Sequence, residues 1–136
     1  MTLHITLYFI AIFAIIQVVI TNLVGIARIR NEVHFYDEGD VALRRNVRAH
    51  GNFTETVPIT LLAMAGAEIS GAPHAVLWAG GVCLLIGRGL HYWIIRRHGW
   101  GNSRALSMIL TFIPMGGFAI AILWQLAARG TAGLQP

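Results

Sequence analysis

A chain of 136 residues that is 56% hydrophobic and only 12% charged carries too little polar surface to face water on all sides, and lipid is the solvent its composition fits. Its formal charge of +4 rests on ten basic residues, every one an arginine. They fall in the gaps between apolar runs, where positive-inside bias puts cations, and not in the continuous basic stripe that nucleic acid requires. At roughly 20 residues per bilayer span the length admits about four spans with short connections, so residues 1–136 read as one transmembrane domain of all-α class.

From Ile5 to Ala27 no residue is charged, which predicts a first helix over 5–28. Residues 1–4 hold neither Lys nor Arg; a cleaved leader begins with a basic region, so this segment is expected to stay as a membrane helix. Phe53 to Ile69 is apolar apart from Glu55 and Glu68, with Pro58 near its start. A second helix over 47–69 is expected, with an amphipathic extension reaching back toward Val41. Ala75 to Ile95 is interrupted only by Arg88 and His91, and Ala105 to Ala128 by no charge at all, giving helices over 75–96 and 104–128.

Pro114, with Gly116 and Gly117, is expected to kink the last helix. The small pairs Ala63 with Ala67 and Gly117 with Ala121 are expected to permit close helix contact.

The first connection holds Arg28, Arg30, Arg44, Arg45 and Arg48, the third holds Arg96, Arg97 and Arg104, and the second, around Ser70 to His74, holds none. That asymmetry predicts cytoplasmic first and third loops and both termini on the opposite side. Asp37, Glu38 and Asp40 count little in that rule and read as a solvated turn through Gly39. Trp78, Trp93, Trp100 and Trp124 read as interface-belt or packing residues, and the single Cys83 as a buried thiol with no disulfide partner.

Ionisable groups at membrane depth cost about 2.5 to 3.5 kcal/mol each on insertion scales and normally face the bundle. Arg88 lies well inside the third helix, with His91, Tyr92 and Ile95 following on the same face. On the second helix Arg48, Asn52, Glu55 and Ile59 recur at four, three and four residues, so a cation, an amide and a carboxylate share one stripe. Three readings stay open at this point: a ligand site, a structural Arg88 to Glu55 pair that ties two helices together, and an Arg88 that merely snorkels to the interface. A metal site is not expected, since there is no His-Glu-x-x-His and His91 and His98 stand seven apart. Gly87-Arg88-Gly89 lacks the strand and third glycine of a dinucleotide loop.

The run Arg48-Ala49-His50-Gly51-Asn52-Phe53-Thr54-Glu55-Thr56-Val57-Pro58 resembles the second-helix motif of the MAPEG family, the membrane-associated proteins in eicosanoid and glutathione metabolism. Arg88, His91 and Arg104 resemble in spacing the prostaglandin E synthases of that family, and Gly25 to Arg30 resembles the end of its first helix. The Gly-Asp-x-x-x-Leu lead into Arg-x-x-Arg-Ala-His looks more like its bacterial branch. The resemblance implies a four-helix bundle assembled as a homotrimer in a bacterial inner membrane, with glutathione as cosubstrate and a lipophilic small molecule, drawn from the membrane lipid, as second substrate. It assigns glutathione binding to Arg28, Arg48, His50, Asn52, Glu55, Arg88 and His91, and thiolate stabilisation to Arg104.

That implication suits the chemistry. Glutathione brings two carboxylates, an ammonium and a thiol; arginine forks match carboxylates bidentately, and a nearby arginine lowers a thiol pKa from its usual value near 8.5. The sequence departs from the prostaglandin E synthase pattern at Ile95, where a tyrosine is expected, at Gly51, where an arginine follows the histidine, and at Ala105, where a serine follows the catalytic arginine. Two other functions are therefore weighed: a non-catalytic membrane protein with a relic glutathione site, and a small exporter. The exporter needs an acid in a span, and the first helix offers only Gln17, Thr21 and Asn22 past Thr6.

Overall fold

Asp40 stands just before a long helical run, and its carboxylate accepts hydrogen bonds from the backbone N–H of Ala42 at 2.7 Å and of Leu43 at 3.0 Å. This N-cap satisfies donors that a helix start leaves open, and it explains why the second helix begins at Val41, at the far end of the expected extension. The computed structural model describes residues 3–34, 39–97 and 102–132; expectations placed on Asp37, Glu38, His98 and Trp100 concern residues outside that set. The helices are α1 (Ile5–Arg30), α2 (Val41–Ile69), α3 (His74–Arg97) and α4 (Asn102–Ala132). The chain is an all-α four-helix integral membrane protein. α1, α3 and α4 are long and apolar enough to cross a bilayer by themselves, whereas the polar and charged residues of α2 lower its hydropathy.

Two connections end their helices by one device. After α1, Glu32 takes a left-handed conformation at φ 56°, letting Glu32 N–H bond to Ile29 O at 3.3 Å and Val33 N–H to Arg28 O at 3.1 Å. After α2, Gly71 at φ 85° does the same: Gly71 N–H reaches Glu68 O at 3.0 Å and Ala72 N–H reaches Ala67 O at 2.9 Å. Paired bonds of this kind satisfy the last carbonyls of a helix. Val33 and Ala72, the residues that follow, are both buried.

α2 packs against each of the other three helices, α3 pairs with α4, and α1 touches α2 and, less, α3. The core runs along these seams through Phe9, Phe13, Phe53, Met64, Leu77, Leu84 and Phe118. α3 approaches its neighbours closely because of its glycines: a methyl at Gly81 would lie 2.3 Å from the Phe9 ring, and one at Gly87 would lie 2.9 Å from Leu110 Cβ. The close contacts therefore belong to Gly80, Gly81 and Gly87 of α3, and to Gly66 of α2, where a methyl would lie 2.9 Å from Ile122 Cδ1. Gly117, expected to make one, has open space around it in the chain.

α4 runs unbroken through Pro114, which lacks the N–H that would bond to Leu110 O. The Cys83 thiol of α3 donates to that carbonyl at 3.2 Å, so a neighbouring helix supplies the donor.

The loop-2 end of the bundle is fastened by polar contacts. Glu68, in the last turn of α2, accepts the backbone N–H of His4, Ile5 and Thr6, each at 2.8 Å, capping α1 from another helix. From α4, Arg129 donates to Ser70 O at 2.9 Å and Gln125 to Gly71 O at 3.2 Å. The opposite end carries Arg28, Arg30, Arg44, Arg45, Arg48, Arg96, Arg97 and Arg104.

Candidate functional site

Along the inner face of α2, Asn52, Thr56 and Thr60 are one turn apart. Each hydroxyl back-bonds to the carbonyl four residues earlier: Thr56 Oγ1 to Asn52 O at 2.7 Å and Thr60 Oγ1 to Thr56 O at 2.8 Å. This ladder meets Arg88 from α3. Only 2% exposed, Arg88 donates from Nη1 to Thr56 Oγ1 at 3.0 Å and to Asn52 O at 3.3 Å, and places Nη2 3.9 Å from Met108 Sδ of α4. Its Nε has no partner. Every partner of this buried cation among the described residues is neutral, so it neither snorkels to water nor pairs with Glu55, which lies on the exposed face of α2.

One turn further along α3, His91 is 1% exposed. Its Nδ1 lies 2.9 Å from Ser107 Oγ of α4, and Ser107 in turn donates to Arg104 O at 2.8 Å. Arg88, Arg104 and Arg48 all lie within electrostatic reach of the ring. The ring thus lies in the field of guanidiniums from three helices, of which Arg88 is buried, Arg104 half-buried and Arg48 exposed. Asn52 is buried beside them, its amide donating to Arg48 O at 3.0 Å. Among the described residues no group of three or more His, Cys, Asp or Glu could hold a metal.

The remaining sequence-derived candidates lie elsewhere in the chain. His50 turns toward α1, with Nε2 3.1 Å from Gln17 Nε2 and 3.0 Å from Thr21 Oγ1. Arg28 lines an open cleft of about 710 Å3 at the end of α1, with Gly25, Ile29, Glu32, Val33 and His34. In the chain, therefore, Arg48, Asn52, Arg88, His91 and Arg104 gather, while Arg28, His50 and Glu55 face outward or along the α1 seam. Sequence reasoning passed over Thr56, Met108 and Ser107. Ser107 had a legible signal: it stands three residues after Arg104, on the same face of α4, and two residues beyond the Ala105 position where a serine was sought.

This geometry can be set beside known proteins. The profile of the MAPEG family matches residues 6–124. The inner membrane protein YecN of Escherichia coli strain K12 is 30% identical over 99 residues, covering 73% of this chain and 75% of that protein. YecN of Escherichia coli O6:H1 strain CFT073 matches to the same extent. With the family match extending over nearly all of a four-helix membrane fold, the chain belongs to the MAPEG family.

Proposed function

We propose that this protein is a membrane-embedded, glutathione-dependent transferase or peroxidase acting on lipophilic electrophiles, with the glutathione thiolate stabilised by Arg104. The observation that carries the reading is the buried cation Arg88: it is 2% exposed, its partners among the described residues are all neutral, and its Nε has none. A buried cation without a counter-charge is costly. A tripeptide with two carboxylates and an ionisable thiol supplies that charge, and its arrival would offset the cost of holding Arg88 out of water.

A homotrimer with the site shared between subunits completes this reading. Glu68 of α2 sits level with residues 4–6 of α1, and His50 sits level with Gln17 and Thr21. Glu55 lies between those levels, beside the uncharged stretch of α1, on an exposed face. A carboxylate turned to lipid at that depth is disfavoured by about 2.5 to 3.5 kcal/mol, and a neighbouring subunit that covers it removes the penalty. The same contact would bring a neighbour's outward groups, Arg28 among them, toward the cluster. Similarity to YecN, an inner membrane protein by name, supports a bacterial inner membrane, and the arginine asymmetry of the connections supports cytoplasmic first and third loops.

Titrating detergent-purified protein with glutathione while following thiolate absorbance in the ultraviolet tests the reading, with conjugation of an aryl halide as the activity arm. Saturable thiolate formation with turnover supports it. The absence of any binding at millimolar glutathione refutes it. Ala105, in place of the serine that follows the catalytic arginine in the prostaglandin E synthases, favours a second reading in which glutathione binds without turnover. Binding with no conjugation or peroxide reduction would select that one.

A further inference from the structure

The contacts of Ser107 determine which nitrogen of His91 holds the ring proton. Ser107 Oγ lies 2.8 Å from Arg104 O and 2.9 Å from His91 Nδ1. A carbonyl oxygen can only accept, so the single hydroxyl proton of Ser107 points to Arg104 O. The hydroxyl oxygen is then an acceptor toward His91, and Nδ1 must carry the proton. His91 is 1% exposed, and among the described residues its ring nitrogens meet only the neutral Ser107 hydroxyl, so the ring is neutral and Nε2 bears a bare lone pair. That atom is buried and has no partner. A buried acceptor left open is an expensive feature.

We infer that Ser107 is a positioning residue: it locks His91 as the Nδ1–H tautomer so that Nε2 meets an N–H group of the bound ligand. The inference deepens the glutathione reading and rests on it for the identity of that ligand. A lone pair at Nε2 repels a carboxylate or thiolate and attracts a donor, whereas the surrounding guanidiniums do the reverse. The two kinds of group therefore divide the ligand. Arginines take its anions, and His91 takes a peptide N–H or the ammonium, which orients a molecule that carries both.

The tautomer is read without any ligand. In protein labelled with 15N at histidine, the signals of His91, assigned by their loss in His91→Gln, are expected to show a protonated Nδ1 and an unprotonated Nε2. Ser107→Ala is expected to move proton density to Nε2, and Ser107→Thr, which retains the hydroxyl, to preserve the wild-type pattern. A wild-type ring protonated at Nε2, or one indifferent to Ser107→Ala in a folded protein, overturns the inference.

The ligand arm compares glutathione with S-methylglutathione, which keeps every N–H and lacks the thiol. Ser107→Ala is expected to weaken both by about tenfold, the value of one hydrogen bond to a buried acceptor, with recovery in Ser107→Thr. Weakening of glutathione alone would assign the donor to the thiol and overturn the N–H assignment. Failure of both ligands to bind wild-type protein, with the Nδ1–H tautomer present, refutes the glutathione reading and leaves the tautomer assignment standing.

Discussion

Replacing Arg88 with methionine separates a residue kept for structure from one kept for a ligand. In the free protein the guanidinium gains two hydrogen bonds, at 3.0 and 3.3 Å, to Thr56 Oγ1 and Asn52 O. Bonds from a charged donor contribute about 1.5 to 3 kcal/mol each, and the longer one falls at the low end. Against this stands the desolvation of a cation 2% exposed, several kcal/mol per ion in real proteins, with no counter-charge and an unpartnered Nε. Removing the side chain orphans no donor, because Thr56 Oγ1 still donates to Asn52 O at 2.7 Å.

The two sums nearly cancel, and buried ions exchanged for apolar residues of similar volume commonly leave a protein as stable or about 1 to 4 kcal/mol more so. Arg88→Met is therefore expected to unfold, in detergent and without ligand, at the wild-type temperature or above it. It should also lose a charge-assisted contact to a glutathione carboxylate, about 1.5 to 3 kcal/mol, or roughly 10- to 150-fold in Kd. Thermal unfolding with and without glutathione, paired with a binding titration, measures both quantities. A clear fall in the ligand-free unfolding temperature, with glutathione affinity unchanged, would show Arg88 to be a helix tie and refute the reasoning.

Three further outcomes are expected. Arg104→Ala should raise the pKa of bound glutathione thiol, each unit being about 1.4 kcal/mol of lost thiolate preference, while most binding persists; wild-type thiolate absorbance and aryl-halide conjugation in this variant would remove its assigned role. Glu68→Gln weakens the carboxylate that caps three N–H groups of α1 and should destabilise the fold by about 1 to 3 kcal/mol with glutathione affinity retained, as read by thermal unfolding and titration. The arginine asymmetry predicts both termini outside the cytoplasm, so a reporter active only in the cytoplasm should be silent when fused at residue 136, and an active fusion would reverse the topology.

Much of the fold follows from local pattern. Runs without charge from Ile5 to Ala27 and from Ala105 to Ala128 can meet a bilayer only as helices, because lipid offers the backbone no other hydrogen-bond partner; hence α1 and α4 were legible, as was the early start of α2. The site was legible in part. Arg88 and His91 share one helix face by periodicity alone.

What the tertiary structure decided is which side chains meet across helices. Nothing in the spacing of α2 and α3 distinguishes an Arg88 to Glu55 pair from an Arg88 to Thr56 contact; the rotation of α2 does, turning Asn52 and Thr56 inward and Glu55 out. The same holds for Cys83, whose thiol serves the carbonyl that Pro114 leaves open, for His50, which bonds to α1, and for Ser107, which bonds to His91 across 16 residues of sequence. Helix formation is set by neighbours in sequence and by the solvent. Contacts between helices depend on the axial rotation and depth of each one, which packing of the whole bundle sets, here through the approach of Gly81 to Phe9 and Gly87 to Leu110.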